Sequence, residues 1–323
     1  MNMKPFWRAA LTLAASAWVF SAAAQAYPEK PIRFVVGFPP GSSIDTVSRV
    51  VLDDIRARTG ASIVVENKPG ALGALGMEHV IRSAPDGYTL MPSSSATHSS
   101  GPSLSKALER MDPVHSLTHI GRVARFDIVV VTRATGPYGT ARALVDAGRA
   151  RPDALTFGYG SGTGQVSSVA FSKVTGVQAR AIPYRGQPAA VTDLIGQQID
   201  FVSSDVGAVL PFVRQGSLNA VAVMAERRSG LLPDVPTMTE AGLAPLVLSG
   251  WLGIDGPGKL PQEIVGWWGR QLKLSLDKPA VQEKIRTLGM ETWPQDAEPF
   301  GEFVQKEKSR WAAHVREAAL QPE

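Results

Sequence analysis

The chain has 323 residues, 44% of them hydrophobic and 19% charged, a balance that suits a globular protein of two domains and excludes a disordered or fibrous one. Its 33 basic and 29 acidic residues give a net charge of +4, and no dense Lys/Arg stripe interleaved with aromatics marks a nucleic-acid partner. With no cysteine there is no disulfide framework, no thiolate metal site and no cysteine nucleophile.

Residues 1–26 read as a Sec-type signal peptide. Lys4 and Arg8 precede a short apolar stretch, and Ala24 and Ala26 form a small-x-small site, so cleavage is expected after Ala26. The apolar run is shorter than the ~20 residues that span a bilayer. Removing this segment leaves 31 basic against 29 acidic residues. A cysteine-free exported chain of this size points to the periplasm.

"PIRFVVGF" predicts a buried strand over Ile32–Val36. The elbow "GFPPGSSID" then leads into a helix in which Val47, Val50, Val51 and Ile55 recur at helical spacing, with Gly60 as its stop. "ASIVVEN" is a second strand, "KPGALGALG" a glycine-rich turn, "MEHVIRSA" a helix and "PDGYTLMP" the turn into a third strand. A second series follows: strands at "FDIVVVTR", "DALTFGYG", "ARAIPY", "IDFVSS" and "LNAVAVM" alternate with helices at "TARALVDAGRAR", "VSSVAFSKVTG", "PAAVTDLIG" and "VLPFVRQG". The alternation argues for parallel βαβ units. The expected fold is α/β, two doubly wound domains with a ligand cleft between them, rather than one continuous sheet. A late strand in "SGWLGIDGP" and two helices, one starting near Pro261 and one over "PFGEFVQKEKSRWAAHVREA", are too little for a third domain and return to the first. Domain 1 is therefore set at 27–125 plus 226–323 and domain 2 at 126–225, with crossings near Arg122–Asp127 and Ala225–Arg228.

In a parallel α/β sheet, ligands sit beyond the carboxyl ends of strands, where helix N-termini present unpaired N–H groups. The elbow is such a loop: Pro39 and Pro40 stiffen it, Gly41 admits a ligand to the backbone, Ser42 and Ser43 offer hydroxyls and Asp45 can cap the helix. A plain strand-to-helix turn reads equally well. Residues 92–101, 159–168, 184–189 and 203–208, all rich in Ser, Thr or Gly, fall at equivalent places in the rhythm and converge if the two series face each other. Enzyme motifs fail in these loops. "GYGSGTG" has Thr163 where a dinucleotide fingerprint needs glycine, and Tyr159 where a nucleophile elbow needs one. No catalytic residue, cofactor or metal site is expected; His115 and His119, four apart with no third ligand in view, read as a surface pair. His98 reads as a hydrogen-bond donor to the ligand rather than a base. Trp267 and Trp268 read as helix packing, and Arg185 as the one cation in a candidate ligand loop, able to pair with a carboxylate or simply solvated.

Six ordered segments carry a resemblance: "YPEKPIRFVVGFPPGSSID", "VVENKPGALGALG", "APDGYTL", "THSSGPSL", "IPYRGQPAAVTDLIGQQIDF" and "LLPDVPTMTEAGL". Over nearly the whole chain beyond residue 26, the sequence resembles the Bug family, the periplasmic substrate-binding proteins of tripartite tricarboxylate transporters. The resemblance implies a non-enzymatic, monomeric solute receptor for small organic carboxylates, aromatic (terephthalate-like), aliphatic di- or tricarboxylate, or nicotinate-like. The partner it implies is a set of membrane transporter subunits, or alternatively a sensor kinase; a hydrolase using Ser95 and His98 is the remaining competitor. It further implies that Phe38 to Asp45 grip a carboxylate while Ser161 to Gln165 and Tyr184 to Gln187 close over it. The ligand-binding set expected is Phe38, Gly41, Ser42, Ser43, Asp45, Ser95, Thr97, His98, Ser161, Gly162, Thr163, Gln165, Tyr184, Arg185, Ser204 and Asp205. Two departures stand out against the family pattern: Gly37 and Ser42 replace a proline and a glycine, and Ser204 aligns with a common aspartate, with Asp205 one place later. Loss of that charge would favour a second carboxylate or a neutral ring over an amino acid.

Overall fold

The computed structural model describes residues 27–321, so the expected signal peptide and its cleavage point lie outside the described residues. β1 (Ile32–Val36) buries Ile32, Phe34, Val35 and Val36 because both of its faces are covered, as a parallel inner strand requires. α1 (Ser43–Thr59) lays Val47, Val51, Leu52 and Ile55 into the core and ends where Gly60 turns left-handed at φ 71°. β2 (Ile63–Asn67) and β3 (Thr89–Ser94) flank β1 in parallel, with α2 (Ala74–Ile81) between them in sequence.

Residues 95–116 hold elements that the apolar pattern does not announce. A π-helical turn spans 95–100, followed by α3 (Gly101–Leu104), α4 (Lys106–Met111) and α5 (Pro113–Ser116). β4 (Leu117–Arg133) is then a single strand of 17 residues. Its first half carries His119, Gly121, Arg122 and Arg125, which break the apolar run and hide the strand upstream of Phe126. The second series follows as expected: α6 (Ala141–Ala150), β5 (Leu155–Tyr159), α7 (Gly162–Thr175), β6 (Ala179–Pro183), α8 (Gln187–Ile195), β7 (Phe201–Asp205), α9 (Val206–Arg214) and β8 (Leu218–Val223). The remainder supplies β9 (Ser249–Pro257), α10 (Gln262–Leu276), α11 (Pro279–Thr287), β10 (Glu291–Asp296) and α12 (Ala297–Glu317), one strand and one helix more than the sequence suggests. Trp268 of α10 is fully buried and donates to the Tyr27 hydroxyl at 2.7 Å, which is packing, as expected.

The strands run in the order β2-β1-β3-β9-β4-β7-β5-β6, with β10 and β8 also paired to β4. Up to Asp127, β4 pairs antiparallel with β9 and β10; from Ile128 it pairs antiparallel with β7 and β8. The two sheets are thus joined through a shared strand, where separate sheets were expected, because one extended segment is long enough to serve both. Arg122 is pinned in the part of β4 that pairs with β9 and β10. Its guanidinium lies 3.4 Å over the Trp293 ring and its Nε donates to the Trp293 carbonyl at 2.8 Å. The change of partner falls at Asp127–Ile128, and the return crossing is the segment between β8 and β9, held by Leu248 N donating to Met224 O at 2.9 Å.

Candidate functional site

The carboxyl ends of β1, β3, β5 and β7 open onto one recess between the two halves. It has a volume of about 580 Å³ with its mouth included. The elbow contributes Phe38, Pro39, Ser42, Ser43 and Ile44; the end of β3 gives Ser94 and the turn after it Ser95 and Ala96; the other half gives Gly160, Ser161, Thr163, Gly164, Ser167, Gln187, Ser203, Ser204 and Asp205. Phe126 and Ile128, at the change of partner in β4, and Met290 complete the wall.

The elbow's conformation follows from close backbone packing. A Cβ on Gly37 would lie 2.9 Å from the Gly73 carbonyl oxygen, so the elbow rests directly against the glycine-rich turn. Ser42, not Asp45, is the N-cap of α1, its Oγ accepting from Asp45 N at 3.4 Å. Asp45 sits in the first turn and reaches back: its Oδ2 accepts from Gly41 N at 3.0 Å, and its Oδ1 accepts from Asn67 Nδ2 at 3.0 Å and Arg49 Nε at 3.0 Å. Burial alone would raise its pKa, but Arg49, Asn67 and Gly41 outweigh it and the pKa is lowered. Asp45 and Gly41 therefore brace the elbow without lining the recess.

Across the recess, Ser161 caps α7 by accepting from Gly164 N at 3.1 Å. Ser95 Oγ lies 3.3 Å from Thr163 Oγ1, a hydroxyl contact between the two halves. Ser43 donates to Asp205 Oδ1, which also accepts from Ala208 N at 2.8 Å and so caps α9. Burial raises the Asp205 carboxyl above its ordinary range, although these two donors lower it. The hydroxyls of Ser203 and Ser204 and the Nε2 of Gln187 are buried with no hydrogen-bond partner, while Gln187 Oε1 accepts from Gly160 N at 3.1 Å. Buried polar atoms carry a cost unless bonded, so these three point to a polar guest. The recess lining includes no Lys, Arg or His.

Eight of the sixteen expected residues line this recess: Phe38, Ser42, Ser43, Ser95, Ser161, Thr163, Ser204 and Asp205. Gln165, Tyr184 and Arg185 border an adjoining recess with Phe38, Pro39 and the glycine-rich turn. There the Tyr184 hydroxyl bonds Asp193 Oδ2 at 2.8 Å, and its pKa is pushed up to about 12 by burial and by Asp193. Arg185 is exposed on the rim. Gly162, Thr97 and His98 lie behind the lining. His98 is fully buried and turned away: Nδ1 is 2.8 Å from Thr97 Oγ1 and Nε2 is 2.9 Å from Asp255 Oδ2. Nδ1 is held by Thr97 and Nε2 faces Asp255, both away from Ser95, so the Ser95–His98 hydrolytic pair does not form. His119 is likewise not half of a surface pair. Its side chain is 9% exposed and its Nδ1 lies 2.9 Å from Asp255 Oδ2, whereas His115 is exposed beside Asp112. Burial disfavours charge on both imidazoles; at His119 the Asp255 carboxylate outweighs burial and the pKa is raised, while at His98 it is lowered.

The expected ligand set omitted Ser94, Ser167, Ser203 and the apolar wall of Phe126, Ile128 and Met290, while Gln187 stood in the Tyr184–Gln187 segment expected to close over the ligand. The serines stand in the serine-rich loops already singled out, and Gln187 opens α8 as Ser161 precedes α7, so position relative to a helix start was the available signal. Met290 had none, because its place depends on a turn that precedes an unannounced strand.

Residues 47–320 match the family model described as tripartite tricarboxylate transporter family receptor. Protein BugT of Bordetella pertussis is 32% identical over 297 residues, covering 91% of each chain. Among solved structures, the periplasmic binding protein BugD superposes with a TM-score of 0.86 at 28% identity, over 92% of this chain and 100% of that one. MatC from Rhodopseudomonas palustris, solved with bound malate, superposes with a TM-score of 0.84 at 26% identity, over 90% and 100% of the two chains.

Proposed function

This chain belongs to the tripartite tricarboxylate transporter receptor family of periplasmic solute-binding proteins, and we propose that its ligand is a small dicarboxylate held in the recess between the two halves. The observation that carries the reading is the cluster of unpartnered buried donors, Ser203 Oγ, Ser204 Oγ and Gln187 Nε2, in a recess onto which the N-terminal ends of α1 and α7 open. Helix N-termini hold anions through N–H groups that have no intrahelical acceptor, which suits a site without a cationic side chain. One carboxylate sits between the first turns of α1 and α7. The other end of the ligand meets Ser203, Ser204 and Asp205. MatC's malate supports a ligand of this size.

Asp205 keeps a carboxyl in the recess, one place after the serine, so the charge has moved rather than vanished. Its raised pKa suits a site in which it donates a proton to the ligand's second carboxylate. A second reading follows from the same group: an ionised Asp205 would hold an ammonium and make the ligand an amino acid. Residues 27–125 with 226–323 and residues 126–225 act as the two lobes, bending at Asp127–Ile128 and at the 224–248 return. The closed form is presented to membrane transporter subunits, with a sensor kinase as the alternative partner.

A thermal-shift screen of the purified protein tests this against aliphatic and aromatic dicarboxylates, tricarboxylates, nicotinate, amino acids and sugars. A ligand present at ~100 times its Kd stabilises the fold by about 2.7 kcal/mol. A shift with one dicarboxylate, kept or enlarged in Asp205→Asn, supports the dicarboxylate reading. A shift with amino acids alone, lost in that variant, establishes the second; a shift with sugars alone overturns both.

A further inference from the structure

The geometry points to a binding site for a transition-metal dication, with zinc as the best fit, formed by His98, His119 and Asp255 behind the ligand recess. The three donor atoms, His98 Nε2, His119 Nδ1 and Asp255 Oδ2, lie within 4.8 Å of one another. They come from the turn after β3, from β4 and from β9. His119 and Asp255 are register partners across the β4–β9 pair, which holds their side chains together on one face.

Each ligand's remaining polar atom is already engaged. Asp255 Oδ1 accepts from Ser93 Oγ at 2.8 Å, His98 Nδ1 lies 2.8 Å from Thr97 Oγ1, and His119 Nε2 lies 3.2 Å from the Val114 carbonyl. A carbonyl only accepts, so His119 Nε2 carries a hydrogen and donates it. This outer ring of partners is the arrangement that orients metal-binding imidazoles and carboxylates.

Direct hydrogen bonding joins His119 Nδ1 to Asp255 Oδ2 at 2.9 Å but leaves the third donor atom of the centre unserved. His98 Nε2 is 2.9 Å from Asp255 Oδ2 but is not aligned for a hydrogen bond, and it is a fully buried nitrogen left without one. The Asp255 carboxylate, also fully buried, is approached by both imidazoles and by no Lys or Arg among its described ion pairs. A shared dication satisfies all three at once. Tetrahedral zinc with bonds of about 2.0–2.2 Å sets its donors roughly 3.3 Å apart, so each imidazole retreats from Oδ2 by a few tenths of an ångström while the two ring nitrogens, which lie within 4.8 Å of each other, settle to the same spacing. Two imidazoles and a carboxylate favour zinc, copper or nickel over calcium or magnesium. His119 borders a surface cavity with Gln262 and Glu298, which gives an ion a route in.

Isothermal titration of tag-free, chelator-treated protein with ZnCl2 tests the site. We expect one zinc per chain, at least ~100-fold weaker binding in His119→Ala, and wild-type binding in His115→Ala, whose exposed imidazole is bonded to Asp112. Anomalous diffraction at the zinc edge, on wild-type crystals, covers the case in which His119→Ala fails to fold. A peak between the three side chains supports the site. No stoichiometric binding, binding retained in His119→Ala, or a peak elsewhere only, overturns it.

Discussion

Ser204 carries a buried hydroxyl with no protein partner, which separates stability from binding at this position. Replacing it with alanine removes an unsatisfied group, so Ser204→Ala is expected to leave the ligand-free protein as stable as wild type or slightly more so in urea. The same change removes a donor from the ligand and weakens binding roughly 10- to 150-fold, since a hydrogen bond to a charged group contributes ~1.5–3 kcal/mol. Equal losses in stability and affinity would show the serine to be a packing residue. Asp205 gives a second prediction with a definite sign. Its folded pKa is raised, so the folded state holds the proton more tightly than the unfolded one and stability falls as pH rises through the folded value. Asp205→Asn keeps an acceptor for Ser43 and Ala208, because asparagine caps helices as well as aspartate does. The variant is expected to be more stable than wild type at pH 7 and to lose part of the decline between acid and neutral pH in urea melts; an unchanged pH profile would contradict the raised pKa.

At the scale of elements, Asp54 ties α1 to α10 and α11. It accepts from Arg58 Nε at 2.9 Å, Ser275 Oγ at 2.7 Å and Lys278 Nζ at 2.7 Å. Burial would raise its pKa, yet Lys278, Arg58 and Ser275 bring it down to about 2. A depressed carboxylate stabilises above its unfolded pKa of ~3.9, and this contribution is lost as pH falls through the folded value. Asp54→Ala should cost about 2 kcal/mol at neutral pH and flatten the acid limb of stability between about pH 4 and pH 2. Denaturant midpoints across that range measure it. Elements such as α1 and β1 were legible in the sequence because apolar spacing and caps agreed there. β10 was not: Trp293 and Pro294 stand in an exposed strand without alternation, paired to a segment of β4 some 170 positions earlier. The polar loops around the recess were legible as serine- and glycine-rich helix starts. The contact of His119 with Asp255 was not, because a spacing of 136 residues becomes a neighbour relation only through the β4–β9 register.

Over the whole molecule, the recess lies where β4 changes partners, so the proposed bending at Asp127–Ile128 predicts that the recess opens and closes with it. Ligand at saturation is expected to lower the radius of gyration in small-angle scattering, and an Asp205→Asn protein that binds the same dicarboxylate should show the same contraction. A radius unchanged by a ligand that demonstrably binds would place recognition in a preformed site. The shared strand also orders the chain's own making. β5, β6, β7 and β8 complete the second sheet with β4 once Val223 has been synthesised, whereas the first sheet waits for β9, which sits between β3 and β4. A chain ending between residues 224 and 248 would therefore hold every strand of the second sheet and lack the strand that joins β3 to β4 in the first.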